Sequence, residues 1–220
     1  MNIRNVSVSR AGLVLAGLVL LAGCGGEEVD VPQLPAPSDA DAGAAQRPQV
    51  TMVVSNGEGI SGTFVITLVP ELAPTTVANF LNYVESGFYD GTVIHRYHPN
   101  FVLQGGGYVA PVTAAVIPEH KATNAAIPLE VKVSNVLGTV AMARANSLNS
   151  ATSEFFINIG NNTALNYQDG GYAAFGYISN MAPVTGLLQA PCVNAAITSN
   201  GAYGCLPVPN LVITSATKTR

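Results

Sequence analysis

The sequence predicts a mainly β domain: a closed or nearly closed antiparallel barrel accompanied by about two helices. Three observations predict it. Short runs rich in Val, Ile, Thr, Phe and Tyr recur from residue 49 to residue 216, separated by turns carrying Gly, Pro and Asn. One segment, near residues 75–86, instead spaces its apolar residues as an amphipathic helix does. A second helical stretch near residue 185 is weaker, and no internal repeat is present. Many short strands with few helices fit a barrel better than a layered α/β sheet.

The chain opens on a different kind of segment. Arg4 and Arg10 precede an apolar run, Ala11 to Leu21, that is short for a bilayer span and ends in small residues. Residues 1–23 therefore read as a signal peptide. Leu21-Ala22-Gly23-Cys24 resembles the bacterial lipobox, in which the cysteine becomes the lipidated first residue. An ordinary signal peptide with an incidental Cys is the other reading. Residues 24–48 are expected to be a disordered spacer after the lipidated Cys24. They hold Glu27, Glu28, Asp30, Asp39 and Asp41, prolines at 32, 35, 37 and 48, and few large apolar residues.

Residues 49–220 form the folded part. Met52–Ser55 and Thr63–Val69 read as strands around the turn Asn56-Gly-Glu-Gly59. Thr75 or Thr76 is expected to cap the clearest helix, whose stripe is Val77, Phe80, Leu81 and Val84 and whose end is Gly87. Thr92–Gly105 holds two strands about a Pro99-Asn100 turn. Residues 108–128 lack pattern. Val136–Ala143, Glu154–Ile159 and Tyr172–Ile178 read as strands, with one helical turn at Asn161–Asn166. Met181–Gln189 is a short helix weakened by Pro183 and Gly186. Pro191–Pro209 is expected as a long loop, and Asn210–Ala216 as the last strand.

Composition narrows the function classes. The 220 residues are 10% charged, lack Trp and carry a formal net charge of −4. That leaves no basic footprint for nucleic acid. Removing residues 1–23 takes two of the nine basic residues and no acids, leaving 7 against 13 and a net of −6. Cys192 and Cys205 then remain beside Cys24. An exported chain meets an oxidising compartment, so these two are expected to pair, a closure worth roughly 3 kcal/mol; two free buried thiols are the alternative. No C-x-x-C, G-x-S-x-G or H-E-x-x-H motif occurs. His95 and His98, three apart on an extended segment, point to opposite faces and make a poor metal pair. No metal or cofactor is expected.

The richest stretch runs from Val93 to Tyr108. It sets Arg96 among apolar and aromatic residues, with Phe101, then Gln104, then three glycines. An Arg there has its stem packed and its planar fork held in one direction; a surface strand with a solvated Arg is the competing reading. Ile94-His95-Arg96 through Phe101-x-x-Gln104-Gly105-Gly106 resembles the cyclophilin family of peptidyl-prolyl isomerases. Gly138-Thr-Val-Ala-Met-Ala-Arg144 followed by Ser150-Ala-Thr-Ser-Glu-Phe-Phe-Ile157 is similar to that family's other half-site. Gly171-Tyr172-Ala-Ala-Phe175-Gly176 resembles the strand after it. The resemblance implies an eight-stranded barrel capped by two α-helices.

It also implies roles. Arg96 is the catalytic cation; Phe101, Val102, Phe156 and Leu165 line a proline pocket; Gln104 positions the substrate backbone. Ala143, Arg144 and Ala145 offer backbone groups to residues before the proline, and Tyr172 stands where the family often has His or Tyr. Two positions depart from the pattern. Glu154 replaces the usual Gln, and an ionised carboxylate only accepts hydrogen bonds, so it either pairs with Arg96 or faces away. Ala164 stands where some members have Trp, which implies weak cyclosporin binding.

The reading that follows is a monomeric peptidyl-prolyl isomerase acting on proline-containing segments of exported proteins. It touches a membrane only through a lipid on Cys24. The absence of Asp after that cysteine favours the periplasmic side of the outer membrane. The alternative is a non-catalytic cyclophilin-like binder of proline-containing segments, favoured by Glu154. A purely structural envelope lipoprotein gives no reason to keep Arg96 in an apolar site.

Overall fold

The computed structural model describes residues 35–115, 118–196 and 203–220. The signal peptide, Cys24 and the first part of the spacer lie outside the described residues. Ten strands follow in chain order: β1 (Gln49–Ser55), β2 (Ser61–Leu68), β3 (Thr92–His98), β4 (Val102–Val109), β5 (Thr139–Met142), β6 (Phe155–Asn158), β7 (Ala174–Tyr177), β8 (Cys192–Ala196), β9 (Tyr203–Pro207) and β10 (Leu211–Lys218). Among the described residues two α-helices accompany them, α1 (Pro74–Glu85) and α2 (Ala182–Leu187).

Eight of these strands close on themselves in the order β10-β1-β2-β7-β5-β6-β4-β3, all antiparallel, and β3 returns to β10 through Leu211↔Ile94 and Val212↔Val93. The expected eight-stranded barrel with two helices is what forms. Side-chain alternation drives it: along β2, Phe64, Ile66 and Leu68 enter the core while Ser61, Thr63 and Val65 face out. Asn56 shapes the β1–β2 turn, its Oδ1 accepting from the amides of Glu58 and Ile60. Helix α1 sends Phe80 into the barrel, where its ring meets Phe175 at 4.8 Å, Tyr89 at 5.3 Å and Phe155 at 5.9 Å. All four rings are fully buried, so aromatic packing fills the barrel's centre.

The C-terminal end of α1 matches the sequence reading. Gly87 takes φ +67°, its amide donates to Val84 and that of Phe88 to Tyr83, a Schellman closure. Its start does not. Neither threonine caps it; Ala73 holds the cap position and Pro74 begins the helix. The free amides of Thr75 and Thr76 donate instead to the Glu130 carboxylate at 3.2 and 2.8 Å, and Thr76 Oγ1 donates to it at 2.8 Å. A distant anion does the work of a local hydroxyl.

Two further expectations are corrected. The spacer is expected to run disordered to Pro48, yet from Pro35 it lies against the barrel as a strap. Arg47, only 7% exposed, meets Glu71 at 2.6 Å and Asp41 at 3.3 Å and donates to the Tyr177 hydroxyl. Tyr177 in turn donates to Asp39 at 2.9 Å, and the Ser134 amide donates to the Pro35 carbonyl. Asp41 and the Ser38 carbonyl, which read as part of a solvated spacer, are here partners of one buried arginine. The expected Pro191–Pro209 loop contains a hairpin, β8 paired with β9, and the Cys192–Cys205 disulfide ties its strands with Cα atoms 5.4 Å apart. This hairpin lies outside the closed eight and attaches to β3 through Tyr97↔Cys205.

Candidate active site

The direction of Arg96 is set by one extra residue. Ile94 pairs with Gly105 and Arg96 with Gln104, so β3 spends two steps where β4 spends one. Regular alternation would put Arg96 on the face of Ile94, inside the barrel. The bulge at His95 turns it to the outer face beside Gln104 and returns Tyr97 to the core with Leu103. His95 is fully buried and His98 exposed.

On that outer face lies a cleft of about 680 Å³. Arg96, Phe101, Val102, Gln104, Ala143, Arg144, Ala145, Glu154, Phe156, Leu165 and Tyr172 all line it, so every catalytic and substrate-binding residue expected from the sequence comes to one place. Its floor is apolar: Val102, Phe156 and Leu165 are buried in one cluster, flanked by Phe101, Ala143 and Tyr172. Beside this floor, Arg96 Nη1 donates to Gln104 Oε1 at 3.1 Å, and the guanidinium lies 5.7 Å from the Phe101 ring. Arg96 Nε is buried without a hydrogen-bond partner. Burial pulls the Arg96 pKa below its ordinary value, against the pull of Tyr172 and Glu154, and an arginine stays charged regardless.

Glu154 takes neither expected course. Its Oε2 accepts from Gln104 Nε2 at 2.7 Å and its Oε1 from His120 Nε2 at 2.7 Å, while His95 Nε2 stands 3.5 Å away. Because a carboxylate only accepts, Gln104 must turn its amide nitrogen to Glu154 and its oxygen to Arg96. Gly107 makes room for this: a Cβ there would stand 2.5 Å from Glu154 Oε1 and 2.7 Å from His120 Cε1. Burial opposes ionisation of Glu154, but His95, His120 and Gln104 outweigh it and hold its pKa below the ordinary value. The two imidazoles share the anion unequally. Burial lowers the His95 pKa, although Glu154 pulls it the other way. The hydrogen bond to Glu154 lifts the His120 pKa, and the ring keeps solvent access.

His120 is the functional neighbour that sequence reading missed. It sits in the patternless stretch after β4, and nothing local connects it to Glu154. Tyr108 also lines the cleft, its pKa pushed up to about 12 by burial and by Glu154. On the opposite rim, the Arg144 guanidinium lies 4.6 Å from the Tyr172 ring, and its Nε donates to the Gly171 carbonyl at 3.0 Å. Two of the backbone groups expected to meet substrate are engaged within the chain: the Ala143 amide donates to the Glu154 carbonyl, and the Ala145 carbonyl accepts from Arg144 Nη1. Ala164 is exposed in a single 3-10 turn, Thr163–Asn166.

Such a site holds a fixed cation beside an apolar floor. A family model described as cyclophilin type peptidyl-prolyl cis-trans isomerase/CLD matches residues 50–202. The chain is 38% identical over 161 residues to peptidyl-prolyl cis-trans isomerase A of Dickeya dadantii, covering 71% of this chain and 79% of that protein. It is 34% identical over 159 residues to peptidyl-prolyl cis-trans isomerase B of Escherichia coli, covering 71% and 93%. A crystal structure of a Cryptosporidium parvum cyclophilin type isomerase superposes with a TM-score of 0.58 at 19% identity, over 79% of this chain and 98% of that one. A second, solved in the presence of the dipeptide Ala-Pro, gives 0.57 at 19% identity, over 78% and 99%.

Proposed function

The chain belongs to the cyclophilin-type peptidyl-prolyl cis-trans isomerase family, and we propose that the cleft around Arg96 is where it rotates X-Pro bonds of exported proteins as they fold. Isomerase activity follows from the family. The residue roles, the exported substrates and the anchoring are our reading.

X-Pro rotation makes and breaks no covalent bond. Its barrier, about 18–20 kcal/mol, is the loss of amide resonance. A catalyst must therefore bind the twisted amide more tightly than either planar form. In this reading the proline ring sits on Val102, Phe156 and Leu165, and Arg96 directs a charged N–H at the proline nitrogen, whose lone pair is exposed only when the amide twists. Phe101 keeps water off the guanidinium, and Gln104 fixes its plane. The uncatalysed step takes about 10–100 s. A turnover of about 10 per second requires roughly 3–4 kcal/mol, and one preorganised donor supplies about 2.7–4 kcal/mol. No acid, base or cofactor enters.

One observation carries the assignment: Arg96 is turned out of the barrel by a bulge and then held by Gln104 and Phe101 over the apolar floor. Exchange NMR on a short Ala-Pro peptide reads cis/trans exchange directly. Arg96→Ala should lower turnover at least tenfold with the fold intact, and unchanged exchange would remove Arg96 from the mechanism.

The anchoring reading rests on the lipobox-like Leu21-Ala22-Gly23-Cys24 after an apolar run. Each buried lipid methylene adds about 0.8 kcal/mol, and more than one chain makes an anchor stable. In this reading the domain is a monomer on the periplasmic side of the outer membrane. Cys24→Ser should move the protein from the membrane to the soluble fraction; continued membrane association would exclude a lipid on Cys24.

A further inference from the structure

The β8–β9 hairpin lies beside the site without lining it. Strand β9 pairs antiparallel with β3 at Tyr97↔Cys205, and Gly204, one residue back along β9, lies diagonally across from Arg96, against its side chain. A Cβ on Gly204 would stand 2.6 Å from Arg96 Cγ and 3.3 Å from its Cδ and Nε. The Gly204 backbone is not in the left-handed region, so an alanine is conformationally allowed there and only space forbids it. The contact falls on the stem next to Cβ, so the guanidinium cannot swing clear by itself; the whole side chain must shift. Arg96 is thus held from three directions, by Gln104, by the Phe101 ring and by the backbone of Gly204, and its unpartnered Nε is buried at that third contact.

The hairpin is fastened on the C-terminal side of this contact. Leu206 is fully buried with Val93, Tyr108 and Val112. Cys205, adjacent to Gly204, is bonded to Cys192 of β8. We propose that the disulfide-bonded β8–β9 hairpin positions Arg96, with Gly204 as the positioning residue and the Cys192–Cys205 bond as the restraint that keeps it seated. This rests on Arg96 being the catalytic cation. Its consequence is that the oxidised chain turns over faster than the reduced one. The proline floor is built on other strands, so the effect falls on kcat and leaves KM alone.

The test compares kcat and KM of the full chain for an Ala-Pro peptide in wild type, Gly204→Ala, Cys192→Ser/Cys205→Ser, Arg96→Ala and Arg96→Ala/Gly204→Ala, with melting curves to establish folding. A misplacement of about 1 Å costs on the order of 100-fold, so a shift of a few tenths of an ångström in Gly204→Ala should lower kcat by roughly tenfold with KM within about twofold. The serine pair, and wild type reduced with a thiol, should lose roughly threefold in kcat on the same logic. In the Arg96→Ala background Gly204→Ala should change nothing further. An equal further loss there means general damage and overturns the proposal. So does wild-type kcat in Gly204→Ala or in the reduced chain while Arg96→Ala is slow. If Arg96→Ala itself turns over normally, the catalytic assignment fails first, and the two failures are distinguishable. Should Gly204→Ala not fold, the serine pair and the reduced wild type decide the same question: undiminished kcat in both overturns the proposal.

Discussion

Replacing Glu154 by Gln tests the charge network behind the site. The carboxylate accepts from His120 and from Gln104, each at 2.7 Å. An amide of the same shape accepts through one atom only, so its nitrogen must face one of these donors, and His120 loses its anionic partner. In the folded wild type Glu154 lifts the His120 pKa, so the native state holds a proton the unfolded chain has begun to release, and stability falls as pH rises. The contribution is fully present below about pH 6.5, the unfolded histidine value, and is gone once pH has passed the raised value. A hydrogen bond to a charged group is worth about 1.5–3 kcal/mol. The imidazole side chain is 46% exposed, and solvent screening brings the contribution to about 1 kcal/mol. For a domain of this size that is about 2–4 °C in Tm. Melting curves of wild type and Glu154→Gln at pH 6 and pH 9 measure it. The Tm difference, wild type minus variant, should fall by about 2–4 °C between the two; a difference that stays constant or grows with pH would refute the His120–Glu154 pairing. Turnover should report the same window. The reaction moves no proton, so as His120 discharges, the uncompensated Glu154 draws on Arg96 through Gln104 and wild-type turnover falls, while Glu154→Gln stays flat.

Two structural predictions concern the ends of elements. Glu130→Gln should cost about 1 kcal/mol, the value of a helix cap, read by chemical denaturation at pH 7. Burial opposes ionisation of Glu130, but its bonds from Thr76 and Thr75 depress the pKa, so the deficit should shrink as pH falls below about 4 and wild type protonates. Arg47→Ala should free the strap, because Glu71, Asp41 and Tyr177 lose their common partner; limited proteolysis should then cut between residues 35 and 47 while Ala-Pro turnover is retained, and equal protease resistance would show the strap is held by other contacts.

What the sequence made legible was local or periodic. The α1 stripe, its glycine end, the Asn56 turn and the strand alternation each reside within a few residues. The motif around Arg96 brought the cleft residues together because their spacing is that of paired strands. What stayed hidden depends on distant partners. Arg47 reads as one charge in a spacer until Tyr177, 130 residues on, is folded beside it. Glu130 caps a helix that begins far upstream, at Pro74. Strict alternation would send Arg96 inward with Ile94, and only the pairing with β4 reveals the extra residue that turns it out. Pro191–Pro209 carries Pro, Gly and Ala in place of a β-rich pattern, and its hairpin is organised by a covalent bond and by one buried leucine.

The return of β3 to β10 matters for the company this protein keeps. An open sheet edge would offer other chains a row of unpaired amides and carbonyls on which to nucleate. Closure removes that template from the eight barrel strands. The sheet ends instead at β8, a run of five residues stapled to its neighbour by a disulfide. An edge that short gives a strand of another chain little to extend.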